Sequence, residues 1–292
     1  MNLTNEFKVK VRVAILEKRK NYGGSDADFS KSLGINNSIY SRLKSGEIDR
    51  IMSDTVWITL GRELQVKVFE DNWNVARTSV YIEIEDNLNF CKELSRSMIL
   101  VDDCGIGKTF CSKHIIKKMK NTFYVDCSQA KSKQLFIRLL AKTVGIDNQG
   151  KYNDVLANLK YYITTLEKPL ILLDEAGDLD YSAFVELKGI WNGTDGVCGW
   201  YMMGADGLRS KISKGMDAKK VGFAEIFSRF SDEFIKLVPN GKADRQAFYS
   251  ELIGAVASAN LKDQTKIKPL INKCLHKETT LRYLETLIKI GA

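Results

Sequence analysis

Short apolar runs, each ending in a polar or glycine-containing turn, recur through the middle of this chain. They lie at residues 98–101, 122–126, 170–173 and 199–203, and the stretches between them carry apolar residues at helical spacing. A fifth strand is expected after Phe230. Strands that alternate with helices predict an α/β fold with a parallel sheet, because parallel strands need crossover connections.

The two ends of the chain show helical spacing and no strand-like runs. The pattern therefore divides the chain into a small all-helical domain at residues 1–68, an α/β core at 69–240 and a helical domain at 241–292. Residues 65–80 are interpreted as a linker that leads into the core.

Residues 25–46 of the first domain predict two helices joined by a tight turn. Gly34 would end the first helix in the left-handed conformation, Ile35 would fill the corner, and Asn36 or Asn37 would cap the second helix. The second helix would present polar and basic side chains outward, namely Asn37, Ser38, Tyr40, Ser41, Arg42 and Lys44.

The apolar run at residues 98–101 leads into a glycine-containing turn and then a helix, with Phe110, Ile115 and Ile116 at core spacing. This order predicts a phosphate-binding loop, because backbone N–H groups and a helix N-terminus can face a polyphosphate. Lys108 would reach the β and γ phosphates. The expected nucleotide-binding residues are Asp103, Cys104, Gly105, Ile106, Gly107, Lys108, Thr109 and Phe110.

The loop departs from the usual pattern at one position. Asp102 stands where the first glycine of that pattern is usually found, so only the shorter Gly-x-Gly-Lys-Thr form is present. The hydroxyl of Thr109 is placed for Mg²⁺.

The run at residues 170–173 ends in Asp174 and Glu175. A carboxylate at a strand end beside a phosphate loop can hold a Mg²⁺ shell, and the next carboxylate can orient the attacking water. We therefore predict Asp174 as a metal-binding residue and Glu175 as a catalytic one. At the end of the following strand, Ala205 or Asp206 occupies the place of a residue that senses the γ-phosphate.

The distribution of charge along the chain indicates a polyanion as a partner. The net charge is +8, with 12 Lys+Arg against 8 Asp+Glu in residues 1–68, 9 against 5 in residues 241–292, and 23 against 23 between them. Basic ends around a neutral core suit nucleic acid. Further candidate DNA contacts are lysines in polar segments that we interpret as loops, namely Lys131, Lys133, Lys211, Lys214, Lys219 and Lys220.

Other classes of protein are not favoured. The sequence has no run of about 18 apolar residues, which argues against a membrane span, and its start lacks the apolar core of a signal peptide. The six cysteines are scattered, with no Cys-x-x-Cys pair. We expect reduced, buried cysteines in a cytoplasmic protein.

Two parts of the sequence resemble known families. Residues 25–46 resemble the helix-turn-helix of the Cro-like phage repressors, whose second helix enters the DNA major groove. The five strands with this loop order, followed by a helical lid, resemble the AAA+ P-loop ATPases. Ser228-Arg229-Phe230 is similar to their arginine finger, which acts catalytically on the ATP of a neighbouring subunit, and Thr280-Leu-Arg282 is similar to the lid arginine that contacts the γ-phosphate.

Within that family, residues 171–179, 187–191 and 201–208 are similar to the transposition ATPases of the Mu B and TnsC type. The resemblance implies an ATP- and Mg²⁺-dependent ATPase that oligomerises on double-stranded DNA, as a helical filament, and selects target DNA for a transposase or activates it. It also implies an origin in a bacterium, a phage or a mobile element.

Two alternatives remain open. One is a replication initiator or helicase-loader ATPase. The other is a helix-turn-helix transcription regulator with a degenerate ATP site, which would not hydrolyse ATP.

Overall fold

The computed structural model describes residues 3–64, 66, 73–277 and 280–291. The predicted boundary between residues 68 and 69 lies outside the described residues, as does most of the predicted linker before residue 73. Within the described ranges, no helix is long and apolar enough to cross a membrane.

The N-terminal region is all-helical, as predicted. Each helix is capped by the side chain of the residue before it, from Thr4, Ser25, Asn36 and Ser53. The four helices are α1 (Asn5–Lys20), α2 (Asp26–Ser32), α3 (Asn37–Ser45) and α4 (Asp54–Glu63).

The turn between α2 and α3 has the predicted geometry. Gly34 has a φ of +68°, Ile35 is buried, and the Asn36 side chain accepts a hydrogen bond from the backbone N–H of Ile39 at 2.9 Å. One expectation is wrong, because Tyr40 is 1% exposed and does not face outward. Its ring packs edge-on against Phe29 of α2, with the ring centroids 5.4 Å apart.

The core contains five parallel strands in the order β2-β3-β4-β1-β5. Both faces of the sheet are covered by helices, so its strands read as continuous apolar runs. The strands are β1 (Ser97–Val101), β2 (Thr122–Asp126), β3 (Leu170–Asp174), β4 (Gly199–Gly204) and β5 (Phe234–Ile235).

Seven helices belong to the core, and they place different clusters on the two faces of the sheet. Leu100, Leu172 and Met203 pack on the face covered by α5 and α6, whereas Ile99 and Leu173 pack on the face covered by the others. The core helices are α5 (Ser79–Leu94), α6 (Lys108–Ile116), α7 (Lys133–Val144), α8 (Tyr152–Thr165), α9 (Tyr181–Gly193), α10 (Asp206–Asp217) and α11 (Phe223–Arg229).

The C-terminal part is helical and has a small core of its own. Ile253 and Ala257 of the first helix pack against Cys274 and Leu284 of the other two. The helices are α12 (Lys242–Asn260), α13 (Ile267–His276) and α14 (Leu281–Lys289). The predicted architecture is confirmed: a small helical region precedes a five-stranded parallel α/β core, and a group of helices follows it.

Three further details of the predictions are wrong. Phe110 is 45% exposed and does not lie in the core. Lys211 and Lys214 lie within helix α10 and not in a loop, and Lys219 and Lys220 follow that helix. The six cysteines all lie in described ranges and form no disulfide; five are buried, but Cys104 is exposed.

The N-terminal region packs against the end of the core where β2 begins. The Tyr22 hydroxyl donates a hydrogen bond to the carbonyl of Gly145 at 2.8 Å, and the Asn21 amide donates to the carbonyl of Lys117 at 2.8 Å. Lys142 of α7 forms an ion pair with Glu63 of α4. These contacts hold the helical region against the core.

Gly145 is the residue at which this contact is least tolerant of a side chain. Its φ is +101°, and a Cβ there would overlap the Tyr22 ring. We expect Gly145→Ala to lower the free energy of unfolding by more than the ~1 kcal/mol that alanine costs at a left-handed position. Chemical denaturation of the full chain measures this.

Gly150→Ala is the matched control. Gly150 has a φ of +88°, and a Cβ there would meet nothing within 4 Å. The control has the backbone penalty without the overlap. If both variants lost the same free energy of unfolding, the Tyr22 ring would be able to move away from the added methyl group at no cost.

Candidate nucleotide-binding site

The glycine-containing turn follows β1 and leads directly into helix α6, which begins at Lys108. Gly105 has a φ of +76°, and a Cβ on it would overlap the side chain of Thr280. Glycine is therefore needed there for both backbone conformation and close packing. The turn and the first turn of α6 leave backbone N–H groups at a helix N-terminus, where anions bind.

Lys108 lies across this turn. Its ammonium donates hydrogen bonds to the carbonyls of Asp102 and Asp103, at 2.8 and 2.7 Å. Burial lowers the pKa of Lys108. The side chain is thus held over the loop by two carbonyls, close to the position from which it would contact a phosphate.

Asp174 ends β3 beside the loop and is 2% exposed. The hydroxyl of Thr109 donates to its Oδ2 at 2.7 Å, the hydroxyl of Tyr124 donates to the same oxygen at 2.5 Å, and the backbone N–H of Glu175 donates to Oδ1 at 2.9 Å. A hydroxyl and a carboxylate joined in this way are hard oxygen ligands of the type that Mg²⁺ prefers. Thr109 and Asp174 therefore fit the predicted metal site.

Glu175 follows with a φ of +50°, an uncommon conformation for a residue that is not glycine. The pKa of Glu175 is raised, first by burial and then by the neighbouring charges of Asp174 and Asp178. Strained backbone and a shifted pKa are typical of functional positions. Its carboxylate borders the cavity described next.

A cavity of about 450 Å³ lies between the loop and the C-terminal helices. Of the predicted nucleotide-binding residues, all but Asp103 and Asp174 line it, including the exposed Phe110 and Arg282. The remaining lining residues are Trp73, Asn74, Ala76, Thr78, Cys111, Glu175, Ala205, Val256, Leu281 and Glu285.

Two lining residues before helix α5, Trp73 and Asn74, were not found from the sequence. Trp73 and Ala76 pack against the core of the C-terminal helices, and Asn74 is hydrogen-bonded to Asn260 of α12. Val75, between them, packs into the α/β core. Trp73 could have been recognised as a candidate from its residue type, since aromatic rings stack on bases.

Asp102 has a structural role at the position where the usual pattern has its first glycine. Its carboxylate is 3% exposed and accepts backbone hydrogen bonds from Leu237, from Val238 at 2.9 Å and from Asp103 at 2.7 Å. A buried charge is tolerated only when it is fully hydrogen-bonded. Asp102 is thus a structural anchor between the loop and the segment that follows β5.

The neighbouring Asp103 joins the loop to the C-terminal helices. Its Oδ2 forms an ion pair with Arg245 of α12 and accepts a hydrogen bond from the Tyr249 hydroxyl at 2.6 Å. On the other side, the backbone N–H of Leu281 donates to the carbonyl of Gly105 at 3.1 Å. Helices α12 and α14 therefore both contact the loop.

Ala205 is the residue that borders the cavity at the end of β4, whereas Asp206 begins helix α10. A methyl group cannot hydrogen-bond to a phosphate. The polar residue expected at this strand end is therefore missing.

Arg229 lies far from this cavity, at the opposite end of the sheet. Its Nε donates to the side-chain carbonyl of Asn192 and one terminal nitrogen donates to the carbonyl of Glu225, both at 2.8 Å. The guanidinium stacks on Trp191, 5.3 Å from the ring centroid. Together with Arg96 and the serines around the start of β1, it lines a second, open cavity of about 480 Å³.

The predicted DNA-contacting residues fall into two groups. Asn37, Ser38, Arg42 and Lys44 are exposed on α3, although Arg42 is paired with Glu47 and Lys44 with Asp26. Among the other lysines, Lys214, Lys219 and Lys220 are exposed. The remaining three have partners within the chain. Lys131 pairs with Asp178, Lys133 pairs with Glu186, and Lys211 donates to the carbonyls of Gly177 and Leu179. Burial also lowers the pKa of Lys211.

Comparisons with known proteins agree with this geometry. Residues 91–212, from the end of α5 to helix α10, match the family described as "AAA domain". The matched segment contains the glycine-containing turn after β1, Asp174 and Glu175.

Among solved structures, the chain is similar to the Aeropyrum pernix ORC2 protein, described in ADPNP-ADP complexes. The sequences are 16% identical and the TM-score is 0.48. The match covers 70% of this chain but only 58% of the ORC2 chain. A comparison with curated protein sequences found no match.

The role of Asp102 can be tested by restoring the usual glycine. We expect Asp102→Gly to lower the free energy of unfolding by about 2 kcal/mol or more, because it leaves buried backbone N–H groups without an acceptor. Denaturation without nucleotide measures the change. Asp102→Asn, which keeps one acceptor oxygen, should lose less. A glycine variant as stable as the parent would contradict the anchoring role.

Proposed function

We propose that this protein binds and hydrolyses ATP in the cavity beside the phosphate loop. Lys108 and the backbone N–H groups of residues 103–109 hold the phosphates, and Thr109 and Asp174 hold Mg²⁺. The ion would neutralise charge on the transferring phosphoryl group. Glu175 orients the attacking water, and Arg282, on the cavity wall, contacts the γ-phosphate. The convergence of Thr109, Asp174 and Glu175 next to Lys108 is the observation that carries this proposal.

Arg229 acts in this proposal on the ATP of a neighbouring copy. The hydroxyl of Ser231 donates to the carbonyl of Ser97, the first residue of β1, at 2.7 Å. The phosphate loop follows the last residue of the same five-residue strand. A strand rises ~3.3 Å per residue, so roughly 15 Å of sheet separates the two regions. Arg229 cannot serve its own loop, and its open cavity would admit another subunit's phosphates.

We further propose that ATP-bound copies assemble on double-stranded DNA, as a filament, and select target DNA for a transposase or activate it. The exposed polar face of α3, with Asn37, Ser38, Arg42 and Lys44, and the exposed Lys214, Lys219 and Lys220 would contact the DNA. The transposase rests on the sequence resemblance to the transposition ATPases alone. The position of Arg229 supports the assembly, since each ATP would need a cation from a second copy.

Imaging the protein on random-sequence duplex DNA tests the assembly. With ATP and Mg²⁺ we expect continuous coverage of the DNA, and with ADP or with Lys108→Ala we expect it to be lost, because the phosphates no longer join neighbouring copies. A small assembly at one site would favour a replication initiator or helicase loader. A discrete footprint without ATP hydrolysis would favour a transcription regulator.

Mixing two inactive variants tests the action of Arg229 on a neighbour. Arg229→Ala should reduce DNA-stimulated ATP turnover roughly 10³-fold, the usual scale for an arginine finger, while nucleotide affinity is retained. Lys108→Ala should lose nucleotide binding. In mixed assemblies the Lys108→Ala copies would supply Arg229 to the intact loops of the other variant, so part of the turnover should return. If mixing restored nothing, the proposal that Arg229 acts in trans would fail.

A further inference from the structure

Asp174 is held by three hydrogen-bond donors, and one of them comes from the neighbouring strand β2. The Tyr124 hydroxyl, from β2, donates to Asp174 Oδ2 at 2.5 Å. The same oxygen accepts from Thr109 at 2.7 Å, and Oδ1 accepts from the N–H of Glu175 at 2.9 Å. Both carboxylate oxygens are therefore fixed in direction, and Asp174 is only 2% exposed.

The position of Tyr124 in the sheet makes this contact directional. Tyr124 lies opposite Leu172 in the β2–β3 pairing, and Asp174 lies two residues further along β3. Side chains two residues apart on a strand share a face, so Tyr124 and Asp174 both lie on the side covered by α6. The tyrosine extends along the strands towards their carboxyl ends to reach Asp174.

The ring of Tyr124 also has a contact with a cation on one of its faces. The ammonium of Lys113, on the phosphate-loop helix α6, lies 4.7 Å from the ring centroid. A cation over the face of a tyrosine ring is attracted by its π electrons. The hydroxyl is thus fixed between the helix that carries Thr109 and the strand that carries Asp174.

We propose that Tyr124 is a positioning residue that aligns the Asp174 carboxylate with Thr109 for binding of Mg²⁺–nucleotide. This inference rests on the proposed ATP site. The Thr109 hydroxyl has a single proton, and its oxygen can face a metal ion only while Asp174 Oδ2 accepts that proton. Tyr124, by donating to the same oxygen, keeps Oδ2 turned towards Thr109. Groups that orient metal ligands in this way commonly affect metal affinity by ten- to a hundredfold.

The test is the Mg²⁺ dependence of nucleotide binding by Tyr124→Phe, which removes the hydroxyl and keeps the ring under Lys113. Binding of a fluorescent ATP analogue to the full chain is titrated with Mg²⁺ and repeated in excess chelator. We expect the Mg²⁺ concentration for half-maximal binding to rise about tenfold. Affinity in chelator should match that of the parent.

Tyr22→Phe is the matched control. It removes a tyrosine hydroxyl that makes one hydrogen bond, to the carbonyl of Gly145 at 2.8 Å, in the contact with the N-terminal helices. Both variants should lose similar stability, about 1 kcal/mol, which thermal unfolding without nucleotide measures. Only Tyr124→Phe should change the Mg²⁺ dependence.

The outcomes distinguish a failure of the role of Tyr124 from a failure of the proposed ATP site. If the parent does not bind the analogue, or Lys108→Ala binds it equally well, the proposed ATP site is wrong. If the parent shows Mg²⁺-dependent binding that Lys108→Ala loses, while Tyr124→Phe titrates as the parent does or needs less Mg²⁺, only the role of Tyr124 is overturned. An equal loss of affinity with and without Mg²⁺ would also overturn it, because that pattern indicates general damage to the pocket.

Discussion

The buried carboxylate of Asp102 is the contact on which the geometry of the site depends. A charge that is 3% exposed must be satisfied by hydrogen bonds, and here the backbone N–H groups of Leu237, Val238 and Asp103 supply them. These donors lie on both sides of the carboxylate, in the loop and in the segment that leads to helix α12. The charge therefore fixes the start of the phosphate loop and the exit of the chain from the core at one point.

This anchor places the C-terminal helices against the loop. A few residues beyond Val238, helix α12 brings Arg245 and Tyr249 to the carboxylate of Asp103, and helix α14 brings its N-terminus to Gly105. The loop is thus bonded to the lid on two sides while its lysine is bonded to the loop's own carbonyls. Any ligand that moves this loop must alter contacts with α12 or α14, so occupancy of the cavity and the position of the lid are mechanically linked.

The sequence was sufficient to predict those parts of the fold in which the local pattern of apolar residues matches the pattern of burial. The strands were found because a parallel sheet covered on both faces buries nearly every side chain, and the phosphate loop was found because its glycines and Lys108 have few other uses in that order. Helical spacing failed for Phe110, since periodicity does not distinguish a residue that faces a cavity from one that faces a core. It failed for Tyr40 because the packing of α2 on α3 decides which side of α3 is buried.

Residues whose partners come from distant parts of the chain could not be assigned. Asp102 looked like a defect in a motif, because its three donors include Leu237 and Val238, which are 135 and 136 residues away. Tyr124 looked like an ordinary alternating residue of β2, because only the pairing with β3 brings it to Asp174. Lys211 looked like a free surface charge, because the carbonyls that hold it belong to the turn after β3.

The internal partners of these lysines bear on how DNA would be held. Lys131, Lys133, Lys44 and Arg42 are each paired with a carboxylate of the same chain, and Lys211 is bonded to carbonyls. Affinity for DNA depends strongly on how many phosphates are neutralised and how many counterions are released. With these cations paired, one copy has fewer side chains available to neutralise phosphates, whereas copies joined to one another add their contacts through a high effective concentration. If DNA is the partner, the charge distribution of this chain favours binding by an assembly over binding by a single copy. The position of Arg229, far from its own phosphate loop, favours the same arrangement.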